Sequence, residues 1–251
     1  MPNLFAYLVL FSWPLAAVAF FRLLSVERAL AWTIIAGHLL LPSETSIKFP
    51  MLPAIDRSLV PSASALLLCA LLAPGMTLRP DRLARGWQMV LLALLGLIVL
   101  TPLLTVVQNT QPVINGKVFL PGLRLYDAYN LMSLIIFQLI PFWLGMRYLN
   151  TREGHKVLLE IIAIAGVIYT FPALLEIRIS PQLHLWVYGF FPHDFIQSMR
   201  DGGFRPVVFL NHGLMVGIFF AIAIVSAIVL YREARREQKP ALGWLVAAIW
   251  L

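Results

Sequence analysis

Continuous runs of apolar residues, separated by shorter polar segments, dominate the pattern along this chain. Most of the runs approach the roughly 20 residues that an α-helix needs to cross the hydrocarbon core of a bilayer. They do not alternate apolar and polar residues, as the strands of a membrane barrel would. The pattern therefore predicts an all-α fold, a polytopic transmembrane helical bundle that forms one transmembrane domain over residues 1–251.

These runs predict seven membrane spans and the beginning of an eighth. The predicted spans are Leu4–Phe21, Ala29–Leu41, Ser62–Thr77, Trp87–Val107, Leu131–Leu149, Val157–Leu175, Val207–Tyr231 and a segment that begins at Ala241. The second is short and is expected either to cross the membrane or to be re-entrant. Because the eighth is still apolar at Leu251, we expect the chain to be the N-terminal part of a longer protein, truncated within that span.

Lysine and arginine residues in the connecting loops predict the orientation. The loops after the first, third, fifth and seventh spans are short and hold most of the 19 Lys and Arg residues. Such basic loops face the cytoplasm. The longer loops Pro42–Pro61, Gln108–Asn130 and Glu176–Pro206 are then expected outside. In the second of them, Asn115-Gly116 lies between two apolar-containing stretches and predicts a β-hairpin.

Cysteines introduced at Lys117 and at Arg235 are expected to react with a membrane-impermeant reagent from opposite sides, because the two residues lie in loops of opposite predicted sidedness. The measurement is labelling of intact cells against labelling of inverted vesicles. Equal labelling of both positions from outside would contradict this topology.

Composition supports a membrane protein and excludes several other classes. Hydrophobic residues make up 60% of the chain and charged residues 12%, against roughly 25% charged in soluble domains. The net charge is +7, but the cations lie between apolar runs, so membrane lipids are the expected partners and nucleic acid is not. Cys69 is expected to be a buried hydrophobic residue. No phosphate loop, HExxH or CxxC motif is present, and no cofactor is expected.

The strongest candidate for chemistry is the stretch at the mouth of the seventh predicted span. It contains Arg200, Arg205, Asn211 and His212. His212 follows Arg205 by seven residues, which would put both on one face of a helix. Polar residues at this depth are expected to face a cavity or other helices. Two interpretations remain open: the residues bind a ligand, or Arg205 snorkels to headgroups while His212 hydrogen-bonds another helix.

Arg124 is the second candidate, because it precedes the fifth span as Arg205 precedes the seventh. Asp127 either forms an ion pair with Arg124 or fixes that side chain for substrate. Lower-ranked candidates are Lys48 and Arg57 as solvated loop cations, His193-Asp194 as an acid/base pair, and Glu176 with Arg178 as a local ion pair.

Several external arginines around a membrane cavity suit a lipid-linked diphosphate. The planar fork of arginine matches phosphate oxygens, and such residues can neutralise charge that develops on a diphosphate leaving group. No acidic metal cage is evident, so a metal-independent mechanism is preferred. The predicted diphosphate-binding residues are Arg205, Arg124 and Arg200, supported by His212, Asn211 and Asp127; no catalytic residue is assigned.

The order of these features resembles the O-antigen ligase and polymerase family. The resemblance rests on Arg205-Pro206 through Asn211-His212-Gly213, on the apolar run that follows to Leu230, and on the proline-rich loop Leu41–Pro61. It implies a GT-C-like glycosyltransferase that uses undecaprenyl-diphosphate-linked glycan at the periplasmic face of the bacterial inner membrane. It also implies that the catalytic base lies beyond Leu251, so that this chain alone is inactive.

Two other functions remain open. One is a transporter or flippase of lipid-linked or anionic solutes, and the other is a membrane assembly subunit whose cations bind only lipid. The chain shows no internal repeat, and its polar residues lie near the external mouth instead of the midplane, which favours the transferase over the transporter. Within the transferase hypothesis, ligase and polymerase activity both remain open.

Overall fold

The fold of the chain is mostly helical. The computed structural model describes residues 1–49, 54–73, 85–116, 118–200 and 202–251. Its helices are α1 (Leu4–Leu23), α2 (Val26–Leu40), α3 (Leu59–Leu72), α4 (Arg85–Gln108), α5 (Leu125–Tyr148), α6 (Arg152–Ile179), α7 (Leu183–Tyr188), α8 (Gly213–Arg236) and α9 (Leu242–Trp250), with a 3-10 turn at Phe195–Ser198. The strands form two antiparallel pairs, β1 (Val113–Asn115) with β2 (Val118–Leu120) and β3 (Met199–Arg200) with β4 (Gly203–Phe204).

Five helices of the described chain are long and apolar enough to cross a membrane: α1, α4 from Gln88, α5, α6 and α8. This confirms the coarse prediction of an all-α protein with membrane spans. Helices α2, α3 and α9 have 15, 14 and 9 residues, fewer than the roughly 20 of a full crossing. The count of seven to eight spans therefore stays a prediction. The end of the third predicted span and Arg79 and Arg82 of the loop after it lie outside the described residues, as does Lys117.

Two local predictions from the sequence are confirmed. The hairpin around Asn115-Gly116 forms, with β1 and β2 in antiparallel register, and Gly116 has a φ of 59°. Glycine adopts such left-handed backbone readily, which a tight hairpin turn requires. Cys69 is buried in a cluster of apolar side chains from α1, α2, α3 and α5.

The start of the seventh predicted span is wrong by six residues. Helix α8 begins at Gly213, whereas the apolar pattern predicted a start at Val207. Val208 has a φ of 53°, in the left-handed region, which is unfavourable for a β-branched residue and incompatible with a helix. His212 is the N-cap residue of α8 and lies outside the helix. The argument that Arg205 and His212 share one helical face is therefore also wrong.

Helix packing defines two ends of the bundle. The long-loop end contains the described parts of segments 41–58, 109–124 and 180–212, and the short-loop end contains segments 24–25, 149–151 and 237–241. At the long-loop end the backbone N–H of Asn3 donates to the carbonyl of Tyr188 at 2.9 Å. At the short-loop end Arg152 pairs with Glu233 at 3.0 Å, which joins α6 to α8. A side chain at Gly166 would collide with Ala223, so α6 and α8 approach closely, as small residues allow in membrane bundles.

Candidate functional site

A buried carboxylate organises the long-loop end. Glu176, in the last turn of α6, has 0% of its surface exposed. Its Oε2 atom accepts hydrogen bonds from the N–H groups of Val207 and Val208, both at 2.7 Å, and its Oε1 atom accepts from the N–H of Leu183 at 3.0 Å. Glu176 therefore binds the backbone of two loop segments, and the ion pair predicted for it with Arg178 is wrong.

The same backbone segment is bound by a second side chain of α6. The Phe209 N–H donates to the Tyr169 hydroxyl at 3.2 Å, and that hydroxyl donates to the carbonyl of Leu39 at 3.2 Å. Three consecutive N–H groups, from Val207 to Phe209, are thus satisfied by side chains of one helix instead of by helical hydrogen bonds. These bonds hold Val208 in its left-handed conformation, which costs on the order of 1–3 kcal/mol.

Arg205 lies directly before this bound segment and packs across the start of α8. A Cβ atom at Gly213 would collide with Cγ and Cδ of Arg205 and would lie 2.9 Å from the carbonyl oxygen of Pro206. The Arg205 N–H donates to the carbonyl of Ser198 at 2.8 Å. The glycine at position 213 therefore leaves the room that the stem of Arg205 occupies.

Arg205 forms part of the wall of a cavity of about 490 Å³ between α6, α8 and α9. Most of the other lining side chains are apolar, and they include Leu174, Val216 and Phe220. No carboxylate of the described residues forms an ion pair with Arg205. The cavity thus combines an arginine near its loop end with an apolar wall, which is the arrangement that an anionic amphiphile requires.

Further basic side chains lie near Arg205. The rings of His193 and His212 have their centroids 4.8 Å apart. Desolvation, followed by the charges of His193, Arg205 and Arg200, lowers the pKa of His212. Because Nδ1 of His212 accepts a hydrogen bond from the Leu214 N–H at 3.0 Å, the neutral ring carries its proton on Nε2. The structure therefore brings Arg200, Arg205 and His212 together, although not on a helical face.

The predicted acid/base pair of His193 with Asp194 is wrong. The Asp194 carboxylate accepts a hydrogen bond from the Ile196 N–H at 3.1 Å and caps the 3-10 turn. Nδ1 of His193 lies 2.7 Å from the backbone carbonyl oxygen of Asp194. His193 instead belongs to the cluster with His212, a contact across 19 residues that adjacency in sequence does not reveal.

Asn211 contacts Arg57, which the sequence predicted to be a solvated loop cation. Nη2 of Arg57 donates a hydrogen bond to Oδ1 of Asn211, and Nη1 donates to the carbonyl of Phe209 at 3.2 Å. Burial is the main cause that lowers the pKa of Arg57. Arg57 is therefore not a solvated loop cation. The signal that was available is its position two residues before the apolar helix α3, at a membrane boundary.

Arg124 and Asp127 lie on a different part of the bundle. Both are exposed at the start of α5, where the Asp127 carboxylate accepts a hydrogen bond from the backbone N–H of Arg124 at 2.8 Å. The predicted ion pair between the two side chains is thus replaced by a helix cap. Helix α5 packs mainly on α3 and α4, whereas α6 and α8 pack on each other. The structure does not bring Arg124 to the Arg205 cavity.

Carboxylates are used differently at the two ends of the bundle. At the long-loop end four of them accept hydrogen bonds from backbone N–H groups: Asp56, Asp127, Glu176 and Asp194. At the short-loop end carboxylates pair with cations: Glu160 with Arg28, Glu233 with Arg152, and Glu237 with Arg152, Lys156 and Lys239. Within the described chain, no ion pair involves an arginine of the long-loop end, so an arginine that also lines a cavity there can accept an external anion.

Comparison of the chain with protein-family models, with curated proteins and with solved structures found no match. In the described part of the chain, no three His, Cys, Asp or Glu residues lie close enough together to hold a metal ion. The assignment of function therefore rests on the geometry of the long-loop end.

Proposed function

We propose that this protein is a polysaccharide ligase- or polymerase-like glycosyltransferase of the GT-C type. It transfers glycan from a polyprenyl-diphosphate carrier at the periplasmic face of the bacterial inner membrane, where the long-loop end lies. The observation that carries the proposal is Arg205, an arginine without a carboxylate partner among the described residues, at an apolar cavity of about 490 Å³.

The chemistry of the carrier fits this cavity. The polyprenyl chain would lie along the apolar wall formed by Leu174, Val216 and Phe220, and the diphosphate would bind the guanidinium of Arg205 with Arg200 beside it. Arginine can offer two parallel N–H donors to phosphate oxygens. When the bond between the sugar and the diphosphate breaks, negative charge grows on the leaving diphosphate, and fixed guanidinium groups stabilise that charge.

The proposed site is smaller than the set of residues that the sequence suggested. Arg205 stays in it because it lines the cavity, and Arg200 and His212 stay because they lie close enough to Arg205 for their charges to interact. Asn211 acts through Arg57, to which it is hydrogen-bonded. Arg124 and Asp127 are left out, because α5 packs on α3 and α4. The catalytic base is not assigned.

A complementation assay tests the proposal. In a bacterial strain that lacks the gene encoding this chain, the surface glycan ladder on a gel is expected to be lost or shortened and to be restored by the wild-type gene. Arg205→Ala is expected not to restore it, because the diphosphate loses its charged contact. Arg205→Lys is also expected to fail, since lysine keeps the charge but loses the two-donor fork. Arg178→Ala is the matched control, because Arg178 is an exposed arginine at the long-loop end, in the last turn of α6, and does not line the cavity.

Two outcomes would contradict the proposal at different levels. An unchanged ladder in the deletion strain would reject glycan transfer and move a transporter of lipid-linked solutes to first place. Full activity of Arg205→Lys would leave glycan transfer standing but would reject the two-donor contact with the diphosphate. Membrane levels of each variant, measured by immunoblot, separate loss of activity from loss of protein.

A further inference from the structure

A second cavity lies on the other side of α8. It has a volume of about 350 Å³ and lies between α2, α6 and α8. Ile218 lines this second cavity, whereas its neighbour Gly217 lines the cavity of Arg205. The remaining walls are mostly apolar, and the polar side chains that reach it are Arg57 and His38; the apolar residues include Ile34, Ile162, Met215 and Ile222. The proposed function makes no use of this space.

Arg57 is a largely buried cation whose known partners are neutral. Its two hydrogen bonds go to the Phe209 carbonyl and to the Asn211 side chain. The neighbouring carboxylate of Asp56 accepts hydrogen bonds from the N–H groups of Ser58 and Leu59, both at 2.9 Å, and so caps α3. No ion pair involves Arg57 within the residues that the structure describes. The charges of Asp56 and Glu44 act on Arg57 only from a distance. A buried charge without a direct ion pair is costly, and a bound anion would remove much of that cost.

We infer that this second cavity is a binding site for an anionic lipid, with the lipid phosphate on Arg57 and an alkyl chain along α2 and α8. Charge complementarity supplies the headgroup contact, because Arg57 retains N–H donors beyond its two protein contacts. The apolar wall supplies the chain contact, since Ile34 on α2 faces the same space as Ile218 and Ile222 on α8. A free phosphate would bind only the charged end and would leave the apolar wall unfilled.

This lipid site and the Arg205 site meet at one backbone segment. Arg57 bonds to Phe209 and Asn211, while Arg205 packs on Gly213 only two residues further along. Residues of segment 205–213 thus line both cavities, Leu210 the lipid site and Arg205 the other. The inference goes beyond the proposed function and does not depend on it, because lipid binding is measured without glycan transfer.

Photolabelling of the purified protein in detergent micelles tests the inference. The probe is dodecyl phosphate with a diazirine near the end of its chain, and the labelled residues are mapped by mass spectrometry. In wild type we expect labels on α2 and α8 at Ile34, Ile218 or Ile222. Arg57→Gln is expected to reduce this labelling about tenfold, in keeping with a lost hydrogen bond to a charged group. Ile218→Trp is expected to reduce it similarly, by filling the cavity while leaving Arg57 intact.

Gly217→Leu is the matched control, because the new side chain enters the Arg205 cavity; a Cβ atom there would meet nothing within 4 Å. It is expected to leave the labelling at Ile34, Ile218 and Ile222 unchanged. Unlabelled dodecyl phosphate should compete with the probe, whereas inorganic phosphate and dodecanol at the same concentration should not.

Three results would overturn the inference. The first is unchanged labelling in an Ile218→Trp protein that melts at the wild-type temperature. The second is competition by inorganic phosphate as strong as that by dodecyl phosphate, which would indicate a site for a free anion. The third is equal competition by dodecanol, which would indicate an apolar pocket in which Arg57 plays no part. If Arg57→Gln unfolds, the Ile218→Trp variant decides the question.

Discussion

Replacing Glu176 by alanine is expected to lower the free energy of unfolding by at least about 3 kcal/mol, since three N–H groups lose their acceptor and each buried unpaired group costs roughly 1–3 kcal/mol. These are the N–H groups of Leu183, Val207 and Val208. Once these N–H groups are released, nothing offsets the cost of the left-handed conformation of Val208, and the segment is expected to rearrange. The measurement is thermal or denaturant unfolding of the purified protein in detergent, together with hydrogen exchange of the Val207 and Val208 amides.

Two further variants make this prediction specific. Glu176→Gln keeps one oxygen, which can serve Val207 and Val208, but its NH₂ group faces the Leu183 N–H, so an intermediate loss is expected. Glu160→Ala removes another carboxylate from the same helix, one that pairs with the half-exposed Arg28. Its expected cost is below about 1 kcal/mol. An equal loss in Glu176→Ala and Glu160→Ala would show that the carboxylate of Glu176 does not hold the loop.

Replacing Gly213 by alanine is expected to reduce glycan transfer on the order of 100-fold, the scale of loss that a displacement of about 1 Å can cause at a reacting group. The new methyl group would collide with Cγ and Cδ of Arg205, so the guanidinium would leave its place at the cavity. The measurement is the initial rate of transfer from a polyprenyl-diphosphate donor in membranes that contain equal amounts of each variant. This prediction rests on the proposed function.

Gly217→Ala is the control for this experiment. It adds the same methyl group one turn further along α8, where nothing lies within 4 Å. Both substitutions replace a helical glycine by a better helix former, worth about 1 kcal/mol in an exposed helix. Because this methyl group does not touch Arg205, we expect Gly217→Ala to retain far more activity than Gly213→Ala, with a melting temperature equal to or above that of wild type. Wild-type activity in Gly213→Ala would contradict the assigned position of Arg205, whereas a low melting temperature would show that the fold, and not Arg205 alone, had been disturbed.

The predictions for Glu176 and Gly213 both concern segment 205–213. Glu176 holds the backbone of Val207 and Val208 from the end of α6, and Gly213 leaves room for Arg205 above the start of α8. Loss of Glu176 should therefore affect both stability and transfer, whereas Gly213→Ala should affect transfer more strongly than stability. This difference distinguishes a residue that positions the loop from one that admits the arginine.

The sequence by itself determined the helical membrane bundle, most helix positions and the small hairpin. These features are local. A long run of apolar residues in a membrane must satisfy the hydrogen bonds of its own backbone, which a helix does. Asn115-Gly116 favours a tight turn whatever surrounds it. Arg200, Arg205 and His212 could also be predicted to share one site, because they lie within a stretch of 13 residues.

Only the tertiary structure decided how these residues are arranged. The start of α8 moved from Val207 to Gly213 because Glu176, 31 residues earlier, takes the N–H of Val207. Asn211 accepts a hydrogen bond from Arg57, which lies 154 residues away in the chain. The packing of α5 on α3 and α4 keeps Arg124 away from Arg205. Hydrophobicity acts on each segment independently, so it can be read along the chain. The pairing of a buried carboxylate or guanidinium depends on which groups the packed helices bring within 3 Å or so of it, and that is fixed only when the bundle assembles.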